Sequence, residues 1–285
     1  MFYIETIRLL YLFINWIDAM RSLHEFYPKE ALVAFSGKGR VLVEIGVKAR
    51  LLPEPGILAT IATIIARAGA RILSLNFTAR DDVRYILLFA DFSEAKKTVR
   101  EVVDEIRRQP FAVEVRFHAK TIGSLIIDKY GFPVSTAQGA LRLLIIPAEI
   151  FAKVFLSFRE KLGPAGAAIS YHEGFEMGSK MIEFYVRVIK LPPREAFLAL
   201  FEIYRALGLG IPELVKVDLE KPSVRVRIRG NFEAEGLSTD MPACHFTRGL
   251  LAGALYYVKK VEVKVEEVRC RATGEEYCEF VISPV

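Results

Sequence analysis

The sequence predicts an α+β protein in which an N-terminal helix is followed by two compact domains. Its 285 residues are enough for two hydrophobic cores. A hydrophobic fraction of 52% beside 26% charged residues is typical of a globular chain. Stretches with the period of a strand and stretches with the period of a helix both occur along it. The predicted segments are a helix with its connector (1–40), a first domain (41–118), a linker (119–146) and a second domain (147–285).

The first 27 residues are predicted to form a helix with a broad apolar face. Glu5, Arg8 and Asp18 interrupt the apolar run, so no membrane span is expected, because a span needs about 20 apolar residues. The basic start and small-residue cleavage site of a signal peptide are missing, and the sequence therefore predicts a cytoplasmic protein. So broad an apolar face packs either on the protein's own core or on a second copy, and both interpretations stand.

The charge of the chain does not single out a partner. The net charge is +5, without a basic tail or block, so charge alone does not indicate nucleic acid. Only two Gln and three Asn stand beside abundant Lys, Arg and Glu, which is typical of a thermophile.

Four strand-like and two helix-like segments alternate in residues 41–118. The strands are VLVEIGVKA, ARILSLNFTA, VRYILLFADF and FAVEVRFHA. The helices are ILATIATIIARAG and SEAKKTVREVVDEIRRQ, and Ser93 is predicted to be the N-cap of the second. The order βαββαβ predicts a ferredoxin-like plait.

A Pro/Gly turn precedes the first helix of this plait, and a glycine ends the helix. The residues that carry the pattern are Pro55-Gly56-Ile57-Leu58 before the helix, and Gly69 with Arg71-Ile72 after it. On these residues, segment 41–118 resembles an ACT domain. The resemblance implies that two chains pair through their sheets.

The same resemblance implies an amino acid or similar small effector at the turn before the first helix. The residues expected to contact it are Glu54, Pro55, Gly56, Ile57 and Leu58. The free N–H groups of a helix N-terminus can receive a carboxylate. The proline and glycine are equally what a simple turn requires, so effector binding and turn formation both stand as interpretations.

Residues 147–285 are predicted to form a layer of helices on a four-stranded antiparallel sheet. Three helical segments come first, the second of them around a Gly-rich turn, and the helix PACHFTRGLLAGALYYVKK lies between two pairs of strands. In this helix, Gly249 and Gly253 are one turn apart and permit close packing. Arg225, Arg227 and Arg229 alternate with apolar residues in a strand, which favours a solvated face over an anion or nucleic-acid patch.

All three cysteines lie in the last 42 positions of the chain. Cys270 ends one predicted strand and Cys278 begins the next, while Cys244 starts the preceding helix, so the three thiols can converge. With Glu267 they would supply four ligands, and thiolates favour zinc. From the spacing alone, ordinary buried thiols and a Cys270–Cys278 disulfide stand beside a zinc site.

The surroundings of the cysteines strengthen the zinc interpretation. The pattern is Cys244-His245 with Gly249 and Gly253, then Glu267-x-x-Cys270-x-Ala272-x-Gly274 and Cys278-x-Phe280. On it, residues 145–285 resemble the 4-vinyl reductase domain, and through it the sensory domains of activators that respond to aromatic compounds, and a vesicle-tethering family.

The resemblance implies both a metal site and an effector site. Its sensory members hold a Zn²⁺ ion with three Cys and one Glu at this spacing, which here are Cys244, Glu267, Cys270 and Cys278. His245 is a rival ligand beside Cys244. Four protein ligands leave no position for water, so the zinc would be structural. An apolar or aromatic effector would occupy a buried pocket between the helices and the sheet.

No catalytic motif is found: neither a Walker loop, nor GxGxxG after a strand, nor HExxH or GxSxG. The sequence therefore predicts a sensor and not an enzyme, one that controls transcription or metabolism through effector binding and assembles as a homodimer or higher oligomer. One alternative is a reductase, or its accessory, acting on tetrapyrrole vinyl groups, which would need a hydride source. Another is an assembly or tethering protein. Nucleic acid stays open as a partner, directly or through another protein.

Overall fold

The computed structural model describes residue 31, residues 34–51 and residues 56–285. The predicted N-terminal helix lies outside the described residues, and so do Glu54 and Pro55 of the predicted effector turn. The described chain divides between Leu144 and Ile145 into two compact units. Both units contain helices and an antiparallel sheet, so the predicted α+β class is confirmed.

The first unit is a four-stranded antiparallel sheet with two helices on one face. The spatial order of the strands is β3-β4-β2-β5. The helices pack on the apolar side of β2 formed by Val43, Ile45 and Val47, and the βαββαβ order is as predicted. The elements are β1 (Ala34–Ser36), β2 (Leu42–Arg50), α1 (Ile57–Arg67), β3 (Arg71–Arg80), β4 (Val83–Asp91), α2 (Val99–Arg107), β5 (Ala112–His118), β6 (Thr121–Ile122), β7 (Leu125–Ile127), β8 (Ser135–Thr136) and β9 (Leu141–Arg142).

Helix α2 begins later than predicted, and Ser93 is not its N-cap. Thr98 is the cap: its Oγ1 accepts a hydrogen bond from Glu101 N at 3.3 Å, and Glu101 Oε2 accepts one from Thr98 N at 2.7 Å. Ser93 donates instead to Asp91 in the turn after β4. The difference has a physical reason, because Thr98 has a glutamate three residues later and can form a capping box, whereas Ser93 has Lys96 there.

The segment 119–146, predicted as a linker, contains four short strands. Strand β7 pairs with β1 and β6, and β8 pairs with β9. Ile126 of β7 is buried with Leu42 and Phe89 on the sheet face opposite the two helices. Strands of two or three residues are too short to show a period in the sequence, which is why the pattern indicated a linker.

Glu44 of β2 is buried on that same face, where it is 1% exposed. Its carboxylate accepts hydrogen bonds from Lys129 N at 2.9 Å and Tyr130 N at 3.4 Å, and lies 2.6 Å from His118 Nε2. Burial raises the pKa of Glu44. The contact fastens the segment after β7 to the sheet.

The second unit is a layer of helices on a four-stranded antiparallel sheet, as predicted. Its strand order is β10-β11-β13-β12. Leu200 and Leu250 of the helices and Val226 and Phe280 of the sheet belong to one buried core. The elements are α3 (Ala148–Leu162), α4 (Pro164–Arg187), α5 (Pro193–Ala206), β10 (Ile211–Asp218), β11 (Ser223–Arg229), α6 (His245–Lys259), β12 (Val263–Arg269) and β13 (Cys278–Pro284).

The predicted Gly-rich turn inside α4 is wrong, since α4 is one helix of 24 residues. Its Gly174 and Gly178 contact the backbone of α6, where a Cβ on either would lie 2.0 Å from a carbonyl oxygen. Gly249 and Gly253 of α6 contact the backbone of α4 in the same way, so the close packing predicted for them is confirmed. These glycines serve helix contact and not a turn.

The three alternating arginines lie on the sheet face opposite the helices. Arg227 Nε donates to Glu279 Oε1 at 3.0 Å, and Arg225 lies 3.5 Å from the same oxygen. Glu279 is 4% exposed although it faces outward, because the guanidinium groups cover it. This face is therefore ion-paired, and in the described residues no helix is both long and apolar enough to cross a membrane.

Candidate metal centre

The candidate centre is formed where one helix and one hairpin meet. Cys244 is the N-cap residue of α6, Cys270 follows the end of β12, and Cys278 begins β13. Glu267 takes the inward position two residues after Val265, because side chains alternate along a strand. A register shift between Glu267 and Arg269 follows directly, so the strand is irregular where it reaches the centre.

The structure brings all four predicted ligands together. Cys244 Sγ lies 3.9 Å from Cys270 Sγ and 3.7 Å from Cys278 Sγ. One ligand atom from each of these cysteines and from Glu267 lies within 4.8 Å of every other. The three thiols are fully buried and free of disulfides, so the four residues form a cluster that can hold a metal ion.

The carboxylate of Glu267 shows what the cluster lacks. Its Oε2 accepts a hydrogen bond from Cys244 N at 3.0 Å. Its Oε1 is buried, and no group in the described part of the chain donates to it. A buried, unpartnered carboxylate oxygen is costly, and a cation held between it and three sulfur atoms would remove that cost. The residues therefore fit a metal ion.

The ionisation of the cluster points the same way. Burial raises the pKa of Cys244. Hydrogen bonds from Cys244 and Cys278 lower the pKa of Cys270, which makes it the thiolate of the group. Burial and the nearby Cys270 raise the pKa of Glu267 to about 8. Without a cation, protons neutralise this site, and a metal ion would displace them.

Arg248, Arg269 and Arg271 were expected to balance the charge of the centre. Arg271 does approach it, through its backbone N–H, which donates to Cys278 Sγ at 3.4 Å. The guanidinium of Arg248 donates to the carbonyl of Val265, and that of Arg269 lies near Glu279. Sulfur atoms at this centre are thus contacted by a backbone donor.

His245 lies outside the cluster. It is the first residue of α6, and its Nδ1 is 3.4 Å from a guanidinium nitrogen of Arg248. Burial and the nearby Arg248 lower the pKa of His245 to about 4. Its ring lines a cavity of about 10 Å³ together with Phe155, Ser170 and Glu233.

Sequence reasoning missed Glu233, which is buried beside the start of α6. It lies in a short 3-10 turn after β11, eleven residues before Cys244. Burial raises the pKa of Glu233 to about 7. The sequence signal was weak: a single glutamate within the run NFEAEG, without regular spacing to the cysteines.

The predicted effector turn is only partly described. Gly56 is the N-cap of α1 and has a φ of 139°, a backbone conformation that favours glycine. Ile57 and Leu58 pack against the core of the first unit. The turn and the core therefore account for these three residues, and effector contact there stays a prediction.

Comparison with known proteins identifies the second unit. The model of the 4-vinyl reductase domain matches residues 224–284, a span that includes all four residues of the cluster. The uncharacterized protein MJ0745 of Methanocaldococcus jannaschii is 30% identical over 142 residues, which are 50% of this chain and 70% of that protein. The chain belongs to the 4-vinyl reductase domain family. Its 4-vinyl reductase region, as matched, begins in β11 and ends in β13.

Two solved structures are similar to separate parts of this member of the 4-vinyl reductase domain family. The phenol-responsive sensory domain of the transcription activator PoxR, solved with phenol, is 14% identical, with a TM-score of 0.46 over 51% of this chain and 78% of that one. The ACT domain of GTP pyrophosphokinase from Chlorobium tepidum is 17% identical, with a TM-score of 0.24 over 28% of this chain and 99% of that one. The ACT-like similarity is thus confined to a minor part of the chain.

Proposed function

We propose that this protein is a small-molecule sensor whose second unit, the 4-vinyl reductase domain, is built on a structural zinc site. The observation that carries the proposal is the closed cluster of Cys244, Glu267, Cys270 and Cys278, with its one unpartnered carboxylate oxygen. Three thiolates and one carboxylate favour zinc over harder cations. Because the protein supplies all four ligands, the metal would hold the fold together and would not activate a water.

The effector of the second unit is proposed to enter the core beside the zinc site. Phe155 packs against Phe151, Phe232 and Phe246, with ring centroids 4.9 to 6.2 Å apart. Next to this aromatic group is the cavity of about 10 Å³, which has room for roughly one water molecule. A few polar groups in apolar surroundings are typical of a small-molecule site.

An aromatic effector would have to displace side chains to occupy this place. Phe151 and Phe155 both belong to α3, so binding would shift α3 relative to the sheet. A ligand that binds the shifted form more tightly shifts the population toward it. The proposed signal is therefore a movement of α3, read by a partner or by a second copy of the chain.

The first unit is proposed to bind an amino acid at the start of α1 and to pair with a second copy. Leu75 and Phe77 are each 40% exposed on β3, which is an edge strand of the sheet. An exposed apolar edge strand is a template for pairing. The three free thiols fit a reducing compartment, and we place the protein in the cytoplasm without an enzymatic activity of its own.

Mass spectrometry of the purified, untagged full chain tests this proposal. We expect one zinc ion per chain in the native spectrum, and a small organic molecule released on denaturation. Phenols and amino acids added separately are then expected to raise the melting temperature without being converted. Three free thiols with no metal would overturn the zinc site. Nicotinamide-dependent turnover of a tetrapyrrole vinyl group would overturn the sensor.

A further inference from the structure

The first turn of α6 is capped by a residue from outside the helix. Cys244 is the N-cap, but its side chain forms no capping hydrogen bond, because the thiol belongs to the cluster. Glu233 takes this role: its Oε1 accepts from Phe246 N at 2.8 Å, and its Oε2 accepts from Thr247 N at 2.8 Å. Free N–H groups of a first turn need such acceptors.

The capping carboxylate is held in turn by a chain of buried polar groups. Thr247 Oγ1 donates to Glu233 Oε2 at 2.9 Å. Asn231 Nδ2 donates to Thr247 Oγ1 at 3.3 Å, and Tyr204 O–H donates to Asn231 Oδ1 at 2.6 Å. All four residues are buried, and Tyr204 belongs to α5. The start of α6 is therefore tied to a second helix.

Two carboxylates fix the backbone around Cys244. Glu267 accepts from the N–H of Cys244 itself, and Glu233 accepts from the N–H groups two and three residues further on. The direction of the Cys244 side chain follows from the direction of this turn. Glu267 is a predicted metal ligand, whereas Glu233 is not part of the cluster.

We infer that Glu233 is a positioning residue of the metal centre: it orients the first turn of α6 so that Cys244 Sγ points at the other three ligands. The inference rests on the proposed zinc site. Zinc–sulfur bonds are short, about 2.3 Å, so a small rotation of the turn strains the set. Outer residues that orient metal ligands typically change metal affinity by about 10- to 100-fold.

The test is the rate of zinc release from the full chain with Glu233→Gln. Glutamine keeps the shape and one acceptor oxygen but places an NH₂ group near the N–H of Thr247. We expect zinc transfer to a chelating dye to become about tenfold faster. Thr247→Val, which removes only the hydroxyl, is a milder second variant with an expected two- to threefold acceleration, about the lower end of such effects.

Two controls separate positioning from general stability. Glu235→Gln removes the same charge from the same loop and is expected to release zinc at the wild-type rate. Ile282→Ala opens a cavity at the far end of β13 from Cys278. It is expected to lower the melting temperature while leaving the release rate within about twofold of wild type.

Absorption of the Co²⁺-substituted protein gives a second readout. Glu233→Gln is expected to shift the ligand-field bands while the thiolate charge-transfer band persists. If both the release rate and the cobalt spectrum match wild type and only the melting temperature falls, Glu233 is merely structural and the inference is overturned. Failure of the wild-type chain to bind either metal would overturn the proposed zinc site and the inference together.

Discussion

Gly174 of α4 lies so close to Phe246 of α6 that a Cβ at position 174 would be 2.0 Å from the Phe246 carbonyl oxygen. Phe246 is also a residue whose N–H is capped by Glu233, two positions after Cys244. The contact between the two helices and the start of the metal-binding turn therefore share one backbone unit. Helix packing and the geometry of the centre are expected to change together.

Gly174→Ala is expected to lower the free energy of unfolding by about 3 kcal/mol, the upper end for overpacking, because backbone atoms cannot move aside as side chains do. Urea unfolding followed by circular dichroism measures the change. Glu173→Ala, exposed on the same helix, is the control and should stay within about 0.5 kcal/mol of wild type. Equal stability of both variants would contradict this contact.

Glu267→Gln is expected to lower zinc affinity by about 100-fold or more, since it removes a charged ligand and not just an orienting contact. Competition with a chelator of known affinity measures the loss. Glu266→Gln is the matched control, because Glu266 is exposed and pairs with Lys264. An equal effect of both substitutions would mean that only the overall charge matters.

Zinc binding near pH 7 is expected to release about three protons, from Cys244, Cys278 and Glu267. The raised pKa values of Cys244 and Glu267, the latter about 8, keep these groups protonated in the metal-free site. Apparent affinity should therefore rise as the pH increases from about 6 to 8. Calorimetry in buffers of different ionisation enthalpy counts the protons, and heats that do not depend on the buffer would contradict the prediction.

Asp91→Asn is expected to destabilise the first unit by about 2 kcal/mol at pH 7, at about 1.4 kcal/mol per pKa unit. Hydrogen bonds from Ser93 and then Arg40 lower the pKa of Asp91 to about 2, and its side chain is 13% exposed. Because the folded pKa is lowered, this stability is present above the unfolded value near 3.8 and is lost as the pH falls towards 2. Unfolding curves at several pH values should show the two proteins converging in acid. Asp82→Asn, exposed in the turn before β4, should show no such difference.

Phe77→Glu is expected to convert a dimer into a monomer, because it places a charge on the exposed edge strand β3. Light scattering coupled to size exclusion measures the mass. Asn76→Glu adds the same charge one residue earlier, on the opposite sheet face, and should leave the dimer intact. A wild-type chain that is already monomeric would rule out the pairing.

The sequence predicted those parts of the fold that have a strong period or an unambiguous turn. The strands of both sheets follow from alternating residues, and the thiols converge because Cys270 and Cys278 flank a hairpin. The start of α2 was missed because Ser93 and Thr98 are both good caps, and only the glutamate three residues on distinguishes them. Glycines in α4 indicated a turn because their partners lie in a helix about 75 residues later.

The remaining features depend on contacts between distant residues. Strands β6 to β9 are too short for a period, and they are placed by pairing with β1 and by burial of Ile126. Glu233 caps a helix that starts eleven residues later, whereas cap rules consider the residues that adjoin the helix. Such contacts are decided by the tertiary fold and leave no local pattern.

The row of charges on the outer sheet face of the second unit limits what that surface can attract. Glu279 is shared by Arg227, Arg225 and Arg269, at 3.0, 3.5 and 3.8 Å. Binding of a phosphate backbone is driven mainly by the release of condensed counterions as free cationic side chains replace them. Guanidinium groups already neutralised by a buried carboxylate would have to leave it first. A polyanion would thus gain little on this face even at low ionic strength.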